Sequence, residues 1–186
     1  YKRQTQGIGL SVHHSPYYPF TTSRDTSAAG ILSEAGVSPR LVDEIVMCVR
    51  TYPIRVEGNS GPLPNEITWE ILREESGYPY PVFERTSATN RERRVARFDI
   101  EIVKKAVRIN RPTYLAIHGA DYLNYKNKGK KLYWELDHKA RSFISYIEEQ
   151  TGVPVGLIST GPSIDEVIDI RDKIKGKVNL LEFIRI

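Results

Sequence analysis

Thr113-Tyr114-Leu115-Ala116-Ile117-His118 and, further along, Val153-Pro154-Val155-Gly156-Leu157-Ile158 are two apolar runs of strand length. Between them Leu136, Ala140, Phe143, Ile144 and Ile147 fall at helical spacing, and Gly152 stops that helix. Strand, helix and strand alternating in this way argue for a mainly parallel sheet with covering helices. In such sheets ligands bind beyond the carboxyl ends of the strands. Two loops therefore become candidates: His118-Gly119-Ala120-Asp121 after the first run and Ser159-Thr160-Gly161-Pro162 after the second.

Outward from this unit, Asp99 is expected to cap a helix with Ile102, Val103, Ala106 and Ile109 on one face, closed by Arg111-Pro112. Segment 126–131 is lysine-rich and reads as a surface loop, and Ser163 as the cap of a short helix from Ile164. Upstream, Gln6 to Val12 reads as a short strand, 13–25 as a polar loop, and Thr26 to Ala35 as a helix stopped by Gly36. Ser38-Pro39 opens a helix carrying Val42, Ile45, Val46 and Val49, with Cys48 in its apolar interior. Ile54 to Val56 reads as a strand, Gly58 to Pro64 as turns, and Asn65 as the cap of a helix to about Glu74. The expected fold is one α/β region, residues 1–186, with a mainly parallel sheet flanked by helices.

The composition, 40% hydrophobic and 27% charged, is globular. The net charge of +4 suits anionic ligands such as phosphates and carboxylates better than a nucleic acid. A single cysteine excludes an intrachain disulfide and a multi-cysteine zinc site. No apolar run approaches the roughly 18 residues of a membrane span, and no signal peptide opens the chain. The expectation is a soluble, cytoplasmic protein. Tyr1 opens the chain in a polar stretch without a methionine, as a fragment or processed piece would.

The Ser159 to Pro162 loop offers a hydroxyl, backbone N–H groups and a glycine, and Asp121 can accept from the edge of a base; an ordinary strand-to-helix turn uses the same letters. Arg91, Arg93 and Arg94 follow a Thr/Ser-rich loop, and guanidinium groups bind carboxylates and phosphates in bidentate fashion. If 91–97 is extended, Arg91, Arg93 and Arg97 share one face and Glu92 and Arg94 the other. The alternative is a solvated basic strand paired with surface acids. Thr21, Thr22 and Ser23 beside Arg24 make a phosphate cradle or a capped loop. His13 and His14 are adjacent and point oppositely in a strand, so they do not chelate one metal. No nucleophile elbow, zinc-binding His-Glu-x-x-His or Gly-x-x-x-x-Gly-Lys-Ser/Thr loop is present.

In order along the chain stand Gln6-Gly7, Tyr18-Pro19-Phe20-Thr21-Thr22-Ser23, Arg55-Val56 with Gly61-Pro62-Leu63-Pro64, Thr89-Asn90-Arg91-Glu92-Arg93-Arg94, Thr151-Gly152-Val153-Pro154 and Ser159-Thr160-Gly161-Pro162. This series resembles the adenylosuccinate synthetase family, from about Gln6 to Asp172, over roughly the second half of its compact, archaeal-length members. The resemblance implies a ligase that couples L-aspartate to C6 of a purine nucleotide. A nucleoside triphosphate phosphorylates the purine O6, and the aspartate amino group displaces that phosphate, with arginines and Mg²⁺ neutralising the developing charge. By resemblance Gln6 touches the purine base and Leu10 lines its pocket. Thr21 and Thr22 hold the 5′-phosphate, and Val56 packs by the sugar. Thr89 and Arg91 grip the aspartate carboxylates, and Arg93 serves aspartate or the triphosphate. Asp121, Ser159, Gly161 and Pro162 frame the triphosphate's base.

Three departures from the family pattern stand out. A Thr-Lys-Leu-Asp type motif becomes His118-Gly119-Ala120-Asp121, so Gly119 replaces a lysine that packs on guanine, and ATP competes with GTP as the expected co-substrate. Thr-Gly-Arg becomes Thr89-Asn90-Arg91, with Glu92 interrupting the arginines. The loop from Val56 to Pro64 is longer by Asn59-Ser60. These departures are similar to a phage branch that joins aspartate to dGMP, using ATP, to give 2-amino-2′-deoxyadenylosuccinate; a phage-encoded member works in the host cytoplasm. Asn59 is then the expected acceptor for the guanine 2-amino group. The family's phosphate loop, catalytic residues and metal ligands lie upstream of the matching region. The chain alone is therefore expected to be inactive, with no catalytic or metal-binding residue of its own. It should also present an apolar broken face, and the complete enzyme is expected to be a homodimer. The alternatives are an ordinary synthetase acting on IMP with GTP, and a non-catalytic nucleotide-binding module. Nucleic-acid binding through the arginine strand and the lysine loop is weaker, because interleaved acids leave only +4.

Overall fold

The computed structural model describes residues 6–87 and 89–175. In chain order the elements are α1 (Ala28–Ala35), β1 (Val46–Arg50), β2 (Ile54–Val56), β3 (Glu66–Ile67), α2 (Trp69–Ser76), β4 (Arg93–Ala96), α3 (Ile100–Asn110), β5 (Tyr114–His118), α4 (Ala120–Leu123), α5 (His138–Thr151), β6 (Val155–Ser159), β7 (Val167–Asp169) and α6 (Asp172–Lys175). One sheet has the order β1-β5-β6-β7, with the first three parallel and β7 antiparallel to β6. The expected mainly parallel α/β sheet is thus present. A second sheet, β2-β4-β3, is antiparallel and lies in the connection between β1 and β5.

Burial explains why these runs become strands and helices. Leu115, Ile117 and Ile158 on the parallel sheet are 2% exposed or less, and Ile144 and Ile147 of α5 pack into the same core. Each such side chain contributes about 1.5–3 kcal/mol. Helix α5 starts where the Asp137 carboxylate accepts from the Ala140 N–H at 2.9 Å and ends at Gly152. Helix α3 starts in the same way at Asp99, and its Val103, Ala106 and Val107 face the core.

Four local expectations are overturned. Residues 6–12 hold a 3-10 turn, Ile8–Leu10, and pair with the neighbouring segment only through the single bridge Ser11–Ser23, the Leu10 carbonyl accepting from both Thr22 and Ser23 N–H at 3.0 Å. The helix after Ser38-Pro39 is only the 3-10 turn Pro39–Leu41, since the β-branched run around Val46 pairs with β5 as strand β1. Cys48 is accordingly exposed on β1 rather than inside a helix. Asn65 sits at φ 57 before the short strand β3, and the helix cap is Thr68. Ser163 caps no helix; its N–H donates to Glu166 at 2.9 Å and the chain returns as β7.

Candidate functional site

The parallel register sets Arg50, His118 and Ser159 in a row at the carboxyl ends of β1, β5 and β6. Beyond that row lies a cavity of about 400 Å³ whose wall includes Asp121, Gly161, Pro162, His118 and Lys128. Three of the four residues expected around a triphosphate base are therefore together. The fourth, Ser159, is not part of that wall; at the end of β6 its hydroxyl donates to the Gly161 carbonyl at 2.8 Å and shapes the loop. At Gly161 a Cβ would stand 2.3 Å from Glu166 Oε2, so a side chain there requires the Glu166 carboxylate to move. The neighbouring Thr160 hydroxyl donates to the Lys130 carbonyl at 2.9 Å, so the lysine-rich segment is pinned onto this loop and brings Lys128 to the cavity.

Gly119 takes φ 89, and a Cβ there would lie 2.8 Å from the Thr51 hydroxyl, which itself donates to the Gly119 carbonyl at 2.7 Å. The backbone therefore leaves no place for a side chain where a family lysine is expected. Asp121 is 5% exposed. Burial raises its pKa, opposed by the Tyr78 hydroxyl that donates to Oδ2 and by its own backbone N–H. Desolvation and this same hydrogen bond hold the Tyr78 phenol above its ordinary pKa. His118 is pushed down by burial and then by Arg50, so it is neutral at pH 7.

Beside the cavity, Glu84 gathers two arginines. Its Oε2 pairs with Arg93 at 3.0 Å, its Oε1 pairs with Arg50, and the Tyr122 hydroxyl donates to Oε1 at 3.1 Å. Trp69 Nε1–H donates to the Arg93 carbonyl, fixing the strand behind it. Within β4 Arg93 turns to Glu84, while Arg94 turns to Glu66 and to the Gly61 carbonyl at 2.9 Å; the strand covers only Arg93–Ala96, so the expected common face of Arg91, Arg93 and Arg97 does not form, Arg91 reaching the Glu57 carbonyl and Arg97 pairing with Glu75.

A second set of loops meets at β2. The buried Arg55 guanidinium donates to the carbonyls of Ser60 at 2.8 Å, Gly9 at 3.3 Å and Phe20 at 2.6 Å. This brings the loops bearing Leu10, Thr21, Thr22, Val56 and Asn59 around one residue, and Gln6 lies exposed on the approach to the first of them. Thr22 and Asn59 are exposed; Leu10, Thr21 and Val56 are half-buried. Arg91 Nη2 donates to the Glu57 carbonyl at 2.5 Å, and its N–H to the Thr86 hydroxyl at 3.0 Å. The Thr86 and Thr89 hydroxyls are 2.7 Å apart. Arg91 thus stands against the Glu57–Gly58 turn with Thr89 beside Thr86, and Arg93 reaches the 400 Å³ cavity only through Glu84 in its wall. Arg85, Arg93, Arg94 and Arg97 have glutamate partners, whereas Arg91 has no carboxylate partner among the described residues.

Sequence reasoning passed over Arg50, Glu84, Tyr78 and Lys128. Arg50 was hidden by the helical reading of 38–52. A lone glutamate or tyrosine in an irregular segment carries no spacing signal. Among the described residues no cluster of three His, Cys, Asp or Glu side chains is arranged to hold a metal ion. None of their helices is long and apolar enough to cross a membrane.

The family model for adenylosuccinate synthetase matches residues 4–130. The adenylosuccinate synthetase of Methanocaldococcus jannaschii is 40% identical over 170 residues, covering 91% of this chain and 47% of that protein. The Thermococcus sibiricus enzyme is 39% identical, covering 91% and 48%. The chain thus spans about half the length of these relatives. Among solved structures, the cyanophage S-2L succinoaminodeoxyadenylate synthetase, bound to dGMP and to dATP as an energy donor, matches with a TM-score of 0.70 and 25% identity, covering 93% of this chain and 47% of that one. Adenylosuccinate synthetase from Plasmodium falciparum matches with a TM-score of 0.71 and 21% identity, covering 87% and 48%, and speaks for the fold alone.

Proposed function

Because this chain belongs to the adenylosuccinate synthetase family, we propose that it supplies the aspartate-binding and base-binding parts of a carbon–nitrogen ligase. In this reading the γ-phosphoryl group of a nucleoside triphosphate passes to the purine O6. The aspartate nitrogen then bonds to C6 as the C6–O6 bond breaks, and phosphate leaves with O6. Arg91 and Thr89 hold the aspartate carboxylates, with Arg93 shared between aspartate and the triphosphate. Gln6, Leu10, Thr21, Thr22, Val56 and Asn59 contact the monophosphate, and Asp121, Gly161 and Pro162 the triphosphate's base, with Ser159 holding their loop. Mg²⁺ is assigned to residues outside this chain, and supplies charge neutralisation at the transferring phosphoryl group. A homodimer completes the proposal.

The finer reading is that the purine is dGMP, the product 2-amino-2′-deoxyadenylosuccinate and the energy donor ATP. The observation that carries it is Gly119: at φ 89 and against Thr51, it leaves no side chain to pack on a guanine. The solved phage synthetase holding dGMP and dATP agrees with this. A second reading, IMP with GTP, is favoured by the 40% identity to an archaeal adenylosuccinate synthetase. Full-length protein incubated with aspartate and each pairing of dGMP or IMP with ATP or GTP separates them. Turnover of dGMP with ATP is expected; a clear preference for IMP with GTP gives the second reading.

A further inference from the structure

Tyr78 is 7% exposed and donates its hydroxyl to Oδ2 of Asp121 inside the 400 Å³ cavity. Its ring is held by three others, with centroids 4.8 Å away at Tyr125, 5.5 Å at Tyr80 and 5.9 Å at Tyr122. The hydroxyl is therefore a fixed part of the cavity wall and cannot swing aside without opening this cluster. Its hydrogen bond partly offsets the burial that raises the Asp121 pKa.

The base edges differ in what they ask of such a carboxylate. Guanine presents two adjacent donors, N1–H and the 2-amino group, which a free carboxylate accepts with both oxygens. Adenine presents one exocyclic donor, the 6-amino group, beside the acceptor N1. Resting on the assignment of this cavity to the triphosphate's base, we propose that Tyr78 determines which triphosphate is admitted: by holding one acceptor site of Oδ2 and fixing the carboxylate's orientation it weakens paired acceptance by both oxygens, which suits the single 6-amino donor of an adenine nucleotide better than the paired donors of guanine. Gly119 removes a stacking partner for guanine, and Tyr78 competes for one oxygen of its paired acceptor; the first acts on the face of the base and the second on its edge.

The test titrates full-length protein, Tyr78→Phe and Asp121→Asn with ATP, GTP and ITP without aspartate, with melting curves as a check on folding. Wild-type protein is expected to favour ATP, and Tyr78→Phe to shift the GTP-to-ATP affinity ratio toward GTP by about tenfold. ITP, which has N1–H without a 2-amino group, should gain less than GTP. If Asp121→Asn weakens nucleotide binding while Tyr78→Phe leaves the ratio at its wild-type value, the role of Tyr78 is overturned and the base site stands. If Asp121→Asn changes no affinity, the base-site assignment fails and this inference with it. Should Tyr78→Phe unfold, a structure with bound ATP decides. A Tyr78–Asp121 hydrogen bond persisting beside the 6-amino group sustains the proposal, and a base bridging both Asp121 oxygens with Tyr78 displaced overturns it.

Discussion

Arg91 donates to a main-chain carbonyl while the arginines of β4 are already matched to glutamates. Among the described residues the Glu57 carbonyl is the partner of this guanidinium; under the proposed function it exchanges that carbonyl for a substrate carboxylate at little cost, and its planar fork suits that geometry better than a lysine ammonium. Arg91→Lys is accordingly expected to raise KM for aspartate about tenfold with a smaller change in kcat, read from initial rates of full-length enzyme. Gly119 gives a second expectation. A lysine placed there must adopt a left-handed backbone and meet the Thr51 hydroxyl. Gly119→Lys should therefore lose about 1–2 kcal/mol in urea denaturation and should not bring GTP preference with it. Single residues were the least legible level of the sequence. Asp121, Gly161 and Pro162 could be placed because they follow predicted strands. Glu84 and Tyr78 sit in the irregular stretch between α2 and β4, where position depends on long-range packing and no periodicity reports it.

Two carboxylates attached to helices titrate in opposite senses and make the stability of their elements depend on pH in opposite ways. At the start of α5, burial tends to raise Asp137, but hydrogen bonds from Ala140, Asn127 and Asn124 outweigh it and leave its pKa lowered. Its contribution is present above the unfolded carboxylate pKa and is lost as pH falls through the lower folded value. Asp137→Ala should cost about 1–2 kcal/mol near neutrality, with the difference from wild type shrinking on acidification, as urea curves at several pH values will show. Asp121, in α4, is raised by burial. Its protonated form is favoured in the fold, so that contribution is present below the unfolded pKa and is lost as pH rises through the folded one. Asp121→Asn should thus gain stability relative to wild type at pH 7–8 and lose that gain at low pH, seen in melting temperatures. Caps located elements only where a helical period accompanied them, since the caps read at Ser38, Asn65 and Ser163 opened no α-helix. Asp99 and Gly152 located α3 and α5, whereas Val42, Ile45, Val46 and Val49 satisfy a helical period and a strand equally, and only pairing with β5 decided for β1.

At the scale of the molecule, the parallel sheet fixes which loops share a cavity, and β1 stands at one margin of that sheet with Val46 and Cys48 exposed. The relatives are about twice as long as this chain. Further strands of a full-length synthetase can extend the sheet at β1. In that case a thiol reagent should modify Cys48 more slowly in the full-length protein than in residues 1–186 alone, as mass spectrometry over a time course would show. The alternation of strand and helix made β5 and β6 legible from sequence, whereas β1 and β7 lie in segments read as helices. Of the small β2-β4-β3 sheet only β2 was read as a strand, at Ile54–Val56; its pairing and β3 were not foreseen, because strands of two to four residues leave little pattern.

Arg55 touches no expected substrate atom, yet three separate backbone turns end on its guanidinium. The walls that would receive the monophosphate are in effect hung from one peg. A change at this position would leave every ligand-facing side chain in the sequence and still unhinge the pocket, a defect that no inventory of contact residues would foresee.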